Sequence, residues 1–126
     1  MRGRRALVPA AAELRELCVR AAAAAGVRDG HIALQFVDSE KIAALNARYR
    51  GKAAPTDVLS FPVDGADALA GGVERELGDV VICAQLCGDV RVAIVHGVLH
   101  LAGFDHETDD GEMLALQRSV LDEPRT

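Results

Sequence analysis

The chain has 126 residues, of which 50% are hydrophobic, and this is enough for one domain with a core of its own. Trp is absent and aromatic residues make up 3% of the chain, so Ala, Val, Leu and Ile must build that core. A net charge of −5 argues against a protein that coats nucleic acid through its overall charge, and no apolar run is long enough to span a bilayer. We therefore expect a cytoplasmic protein whose three cysteines are reduced.

Hydrophobic periodicity predicts the elements in chain order. An amphipathic helix begins near Pro9 and ends before Gly26, and a strand with alternating apolar residues follows over residues 31–38. Ser39 is the expected N-cap of a second helix that ends at Gly51. The first half of the chain therefore reads helix, strand, helix.

The second half continues with two strands and two helices. Residues 58–63 predict a strand that its proline places at a sheet edge or a strand end, and residues 77–84 predict a buried strand. Residues 90–102 favour a helix, although residues 90–95 alone also fit a strand. A last helix is expected to begin after Asp109, which is its predicted N-cap. Without repeats or linkers, this order indicates a single layered domain of the α/β or α+β class.

Three of the four histidines lie in the stretch "HGVLHLAGFDH". His96 and His100 are four residues apart and therefore project from the same helical face. Gly103 is suited to the left-handed conformation that ends a helix, which lets the chain bring His106 toward the same point. Three converging imidazoles predict a metal site with a fourth position for water, which the metal would activate as a nucleophile. The alternative is two core histidines bonded to carbonyl groups and a third in a solvated loop.

Gly97 bears on the chemistry of this site. The spacing H-x-x-x-H-x-x-G-x-x-H is also that of the metzincin metalloproteases, which carry a general-base glutamate where this chain has Gly97. The nearest carboxylates in sequence, Asp105 and Glu107, lie beside the third histidine, so peptide hydrolysis by the usual arrangement is disfavoured. A glycine inside a helix costs about 1 kcal/mol relative to alanine, which indicates that another part of the structure passes close to this backbone.

The histidine stretch resembles the H-G-x-L-H-L-x-G-[YF]-D-H signature of the YbeY family of metal-dependent endoribonucleases. The similarity extends to "LNARYRGKAAPTDVLSFP", residues 45–62, and to "LGDVVIC", residues 77–83. It implies an α+β fold in which residues 1–126 form a single YbeY-like metal-dependent hydrolase domain with a mixed β-sheet flanked by helices. The metal site is expected on a central helix and its exit turn. One zinc ion would be bound by water and three residues, His96, His100 and His106.

The resemblance also assigns a functional role to Arg50. This residue lies in the densest basic segment, residues 47–52, and a guanidinium matches phosphate geometry well. Without the family match, a solvated charge at a helix C-terminus is the better interpretation.

The activity that the resemblance implies is hydrolysis of single-stranded RNA, in the maturation of ribosomal (16S) RNA and in ribosome quality control. The expected partners are ribosomal RNA and the ribosome or its small-subunit components, with no DNA and no membrane. A metzincin-like metalloprotease and a non-catalytic ribosome-assembly factor with a structural metal are the alternatives.

The chain departs from the family pattern in two segments, and the roles of four polar residues remain open. The segment 84–95, before the first histidine, is shorter than the corresponding segment usually is in the family. The first strand expected near the N-terminus is also reduced, to little more than "RRALV". Several polar residues either face a substrate groove or hold a turn through hydrogen bonds: Thr56, Asp57 and Ser60. Asp105 is a candidate for the group that fixes a histidine tautomer.

Overall fold

The computed structural model describes residues 8–27, 30–63, 76–104 and 111–122. Within these ranges the chain forms an α+β domain, which confirms the predicted fold class. The elements are α1 (Ala11–Ala24), β1 (His31–Phe36), α2 (Ser39–Arg50), β2 (Val58–Pro62), β3 (Glu76–Ile82), α3 (Val90–Leu101) and α4 (Glu112–Asp122). A 3-10 turn, Ala84–Leu86, joins β3 to α3. No helix in the described ranges is both long and apolar enough to cross a membrane.

The three described strands form one mixed sheet in the order β1-β3-β2. The central strand β3 runs parallel to β1 and antiparallel to β2, so Val80 lies opposite both Leu34 and Ser60. β2 is an edge strand that ends at Pro62, as its proline predicted. Among the described strands β1 lies on the other side of β3, and Phe36, expected on the apolar side of β1, is 38% exposed at the end of the strand.

The two faces of the sheet have separate cores. Val80 and Ile82 of β3 pack with residues of α1, α3 and α4 on one face. Val81, which points the other way, packs with Ile42 of α2 and Leu59 of β2. The helix α3 lies against the sheet on one side and against α1 and α4 on the other, and eight of its residues are buried. This position explains why its sequence is apolar nearly all round.

The helix ends differ from the sequence predictions by small amounts. The N-cap of α2 is Asp38, and the prediction of Ser39 was wrong by one residue, because the Asp38 carboxylate accepts a hydrogen bond from the Lys41 amide at 2.8 Å. Asp89 caps α3 in the same way, because its carboxylate oxygen Oδ1 accepts a hydrogen bond from the Arg91 amide at 2.9 Å. Residues 90–95 are helical, so the strand alternative is wrong. The predicted N-cap at Asp109 lies outside the described residues.

Candidate functional site

The two histidines of α3 meet on one helical face, as their spacing predicted. The Nε2 atoms of His96 and His100 are 3.2 Å apart, and the two rings are almost perpendicular, at 82°. Both side chains are half-buried. The helix thus holds two imidazole nitrogens against each other at the surface of the domain.

The outer nitrogens of both rings are bonded to acceptors. His100 Nδ1 lies 2.8 Å from the carbonyl oxygen of Phe104, and His96 Nδ1 lies 2.9 Å from Oε1 of Gln117. A carbonyl oxygen only accepts, so each Nδ1 carries the hydrogen and donates it. When both rings are neutral, the two Nε2 lone pairs therefore face each other across 3.2 Å, an arrangement that an electrophile between them would stabilise.

This donor set fits a metal ion of the zinc type. A tetrahedral site with Zn–N bonds of about 2.0–2.1 Å holds two ligand nitrogens about 3.3–3.4 Å apart, close to the 3.2 Å between the two Nε2 atoms. Among the described residues, no group of three His, Cys, Asp or Glu side chains comes together. His106 and Asp105 lie outside those residues, so their roles as third ligand and as partner of a histidine remain predictions.

Gln117 was missed in the sequence, although a signal for it exists. It lies on α4 between the buried Met113 and Val120, four and three residues away respectively, so it belongs to the same stripe of the helix. A polar side chain in the middle of a buried apolar stripe requires a hydrogen-bond partner. Here that partner is His96, on the neighbouring helix α3.

Gly97 lies where α3 crosses the sheet. A Cβ atom at this position would be 2.7 Å from Val80 Cγ1 and 3.3 Å from Ser60 Oγ, so any residue other than glycine requires the neighbouring side chains to shift. The predicted close approach to this backbone is confirmed. The position faces β2 and β3, so it offers no room for the glutamate that a metzincin carries there.

A cleft of about 550 Å³ opens between α3 and the edge strand β2. Arg50 reaches it from the C-terminus of α2, where Gly51 adopts the left-handed conformation with φ of 73°. The predicted residues His96, His100 and Arg50 therefore share one cleft. The lining is completed by Thr56, Asp57, Val58, Leu59, Ser60, Pro62, Val92 and Ala93.

The polar residues of the "PTDVLSFP" segment face the cleft and also hold the backbone. Thr56 Oγ1 donates to Asp57 Oδ1 at 3.4 Å, and the Asp57 carbonyl oxygen accepts from the Cys83 amide at 2.9 Å. Ser60 Oγ donates to the carbonyl oxygen of Gly97 at 3.0 Å. All three residues line the cleft, and Ser60 also holds the backbone through its side chain, whereas a role in contacting substrate stays a prediction.

Asn46 fixes the loop that follows Arg50. Its side chain is 4% exposed, and Nδ2 donates to the carbonyl oxygen of Ala54 at 2.8 Å. The Lys52 amide donates to the main-chain carbonyl of Asn46 at 3.3 Å. These bonds tie residues 51–54 to the last turns of α2, which carries Arg50 into the cleft.

The three cysteines are free, as predicted. Burial raises the pKa of the Cys18 thiol from 9.0 to about 11, and burial together with the charge of Asp57 raises the pKa of Cys87 to about 11. Burial thus disfavours the reactive thiolate form of both residues.

A second cavity of about 720 Å³ lies between α1 and β1 and is lined mainly by apolar side chains, with His31 at its edge. None of the predicted site residues lines it.

The fold and the cleft define a small α+β domain that carries a histidine pair and an arginine at the edge of a mixed sheet. The family model described as Endoribonuclease YbeY matches residues 9–124. Curated relatives named "Endoribonuclease YbeY" include one from Stenotrophomonas maltophilia, 42% identical over 94% of this chain and 83% of its own length. Another, from Koribacter versatilis, is 41% identical over 82% of this chain and 70% of its own. This chain belongs to the YbeY family, which confirms the resemblance seen in its sequence.

A solved structure has a similar fold. The solution structure of TM1509 from Thermotoga maritima matches with a TM-score of 0.52 and 26% sequence identity. The match covers 91% of this chain and 83% of the other.

Proposed function

We propose that this protein is a zinc-dependent endoribonuclease that hydrolyses single-stranded RNA, with ribosomal RNA as its target. The observation that carries the proposal is the shared cleft, which is lined both by Arg50 and by two histidines whose Nε2 atoms are 3.2 Å apart. A cation and a convergent pair of neutral nitrogen ligands suit a substrate with a phosphate. The two relatives described above, both named as endoribonucleases, support the same reaction.

In this proposal His96 and His100 bind the metal through Nε2, and His106 is the third ligand. When bound, zinc acts as a Lewis acid and supplies a strong nucleophile at neutral pH. The residues around the pair keep it ready for metal. The Phe104 carbonyl and the Gln117 side chain accept the Nδ1 hydrogens and so leave each Nε2 with its lone pair.

Arg50 binds and orients the substrate phosphate. Its guanidinium donates up to two parallel hydrogen bonds to phosphate oxygens and offsets the negative charge that develops on them during hydrolysis. RNA also brings its own 2′-hydroxyl group, so the site needs no carboxylate at position 97. A peptide substrate does need such a carboxylate to protonate the leaving amine. This difference favours RNA over a metzincin-like protease reaction.

The remaining assignments rest on the family alone. We propose that residues 1–126 form one YbeY-like domain, that the substrate is 16S ribosomal RNA within or near the small ribosomal subunit, and that the protein works in the cytoplasm. A non-catalytic assembly factor would share these partners but would not cleave RNA. Activity is therefore the property that separates the two.

The test is to incubate one zinc-loaded preparation with a single-stranded RNA and with an unfolded peptide. We expect cleavage of the RNA only, and loss of that cleavage with chelator or with His96→Ala. The matched control is His31→Ala, which removes a histidine from the edge of the second cavity and should leave cleavage intact. Peptide cleavage without RNA cleavage would overturn the proposal, and inactivity on both substrates would favour the assembly factor.

A further inference from the structure

Tyr49 is an exposed aromatic residue next to the cleft. It lies in the last turn of α2 and is 56% exposed. Its ring makes an edge contact with Phe61, with ring centroids 5.2 Å apart and an angle of 68°, and the Arg48 guanidinium carbon lies 5.3 Å from its centroid. The ring is thus held in place while more than half of the side chain faces solvent.

The position of Tyr49 continues the cleft around the sheet edge. Arg50, the next residue, lines the cleft, and Phe61 lies between Ser60 and Pro62, which line it too. Phe61 points to the α2 face of the sheet, whereas Ser60 points to α3. A chain that leaves the histidines and crosses the edge strand β2 therefore passes Arg50 and reaches the ring of Tyr49.

The surface around Tyr49 is cationic in a protein with a net charge of −5. Arg48, Arg50 and Lys52 are all exposed. Among the described residues, no carboxylate forms an ion pair with any of these three cations. Their charge is therefore available to a polyanion, and the aromatic ring lies among them.

We propose that Tyr49 stacks against an unpaired base of the RNA strand, while Arg48 and Arg50 bind the flanking phosphates. This inference rests on the proposed endoribonuclease function and names the part of the substrate that the rim of the same site recognises. A ring and a base stack through their flat faces without regard to sequence. Bases inside a duplex are already stacked on each other, so the Tyr49 contact selects single strands.

The chain itself supplies the probe, because Tyr49 is its one tyrosine and tryptophan is absent. Intrinsic tyrosine fluorescence therefore reports on this ring alone. The protein used is His96→Ala, which we expect to bind RNA without cleaving it. Titration with an oligoadenylate of about eight nucleotides should quench the emission. An oligomer with the same phosphates but no bases should bind more weakly and leave the emission unchanged.

Variants of Tyr49 separate stacking from charge. In the same His96→Ala background, Tyr49→Ala should weaken oligoadenylate binding about 5- to 150-fold and should not change binding of the abasic oligomer. Tyr49→Phe should restore affinity, while Tyr49→Leu, which keeps an apolar contact to Phe61 without a ring, should not. The control is Phe36→Ala, which removes an exposed aromatic residue from β1, on the far side of β3 from β2, and should bind like the parent.

Two results would overturn the inference: oligoadenylate affinity that Tyr49→Ala leaves unchanged, or an equal loss for the abasic oligomer. If the protein with intact histidines cleaves RNA under either result, only the stacking role fails. If that protein cleaves no RNA while Tyr49-dependent binding is present, the endoribonuclease function fails and the stacking site stands.

Discussion

Ser60 Oγ donates a hydrogen bond to the main-chain carbonyl oxygen of Gly97 at 3.0 Å, which joins the edge strand β2 to the middle of α3. A carbonyl oxygen accepts two hydrogen bonds, so this one is compatible with the helical ladder. His96 precedes Gly97, and Pro62 and Val58 line the cleft on either side of Ser60. The bond therefore sets the distance between the histidine pair and the strand that faces it.

Gly97→Ala should destabilise the protein. The added methyl group would meet Val80 Cγ1 at 2.7 Å, and overpacking of this kind costs about 1–3 kcal/mol. Alanine regains about 1 kcal/mol through its higher helix propensity, so we expect a net loss of about 1 kcal/mol in the free energy of unfolding. Urea denaturation measures it. Gly88→Ala is the control, because a Cβ there meets nothing within 4 Å. Equal stability of the two variants would contradict the close packing of α3 on the sheet.

Metal content tests the histidine pair directly. Protein purified without chelator should contain about one zinc ion per chain, and His100→Ala should lose it because the variant lacks one of the three proposed histidine ligands. Elemental analysis by mass spectrometry gives the ratio. His31→Ala should retain the metal, since His31 lies at the second cavity. A parent protein without metal would remove the basis of the proposed chemistry.

Gln117 should tune metal affinity without touching the metal. Gln117→Leu removes the acceptor of the His96 Nδ1 hydrogen, and loss of such a bond lowers metal affinity about 10- to 100-fold. Gln117→Glu places a charged acceptor at the same position and should bind zinc at least as tightly as the parent. Competition with a fluorescent zinc chelator measures both. Similar affinities for the leucine variant and the parent would show that the Gln117 contact does not orient His96.

Arg50 should contribute to RNA binding mainly through charge. Arg50→Glu should leave the fold and zinc content unchanged and weaken binding to single-stranded RNA. For this variant, the slope of log affinity against log salt concentration should be less steep by about 0.7, which is the share of one phosphate contact on a single strand. Arg15→Glu makes the same charge change on the exposed side of α1 and serves as control. An unchanged slope for Arg50→Glu would place Arg50 outside the RNA path.

The raised thiol pKa values predict a loss of stability at alkaline pH. In the unfolded chain Cys18 and Cys87 ionise near pH 9.0, whereas in the folded protein they remain protonated up to about pH 11. Ionisation of these thiols therefore favours the unfolded state. Their contribution to the free energy of unfolding is complete below pH 9.0 and is lost as pH rises toward 11. Between these pH values the melting temperature should fall less for Cys18→Ala than for the parent, as measured by thermal denaturation. Parallel curves would contradict the burial effect on Cys18.

Much of the fold follows from local patterns. The helix α1, the strand β3 and the helix α3 appear where periodicity placed them, because each buries a face or a whole segment that its sequence marks as apolar. The N-cap of α2 was misplaced because Asp38 and Ser39 are both good capping residues, and only the backbone geometry distinguishes them.

The site was predictable where its residues are close in sequence. The spacing of His96 and His100 fixes their meeting on one face of α3. The contacts of Gln117 with His96 and of Ser60 with Gly97 join residues 21 and 37 positions apart, so they depend on how α4 and β2 pack against α3. No local sequence pattern predicts that packing. Arg50 was identified through the family resemblance, and the structure places it at the same cleft.

The order of the strands has a consequence for folding. The described residues that line the cleft fall between positions 50 and 100, and β2 and β3 pair as antiparallel neighbours. The parallel pairing of β1 with β3 must instead enclose α2 and β2, a longer loop with a higher closure entropy. We therefore expect the walls of the cleft to assemble first, and β1 with α1 to join afterwards. Substitutions in α1 and β1 should therefore change the rate of unfolding more than the shape of the cleft.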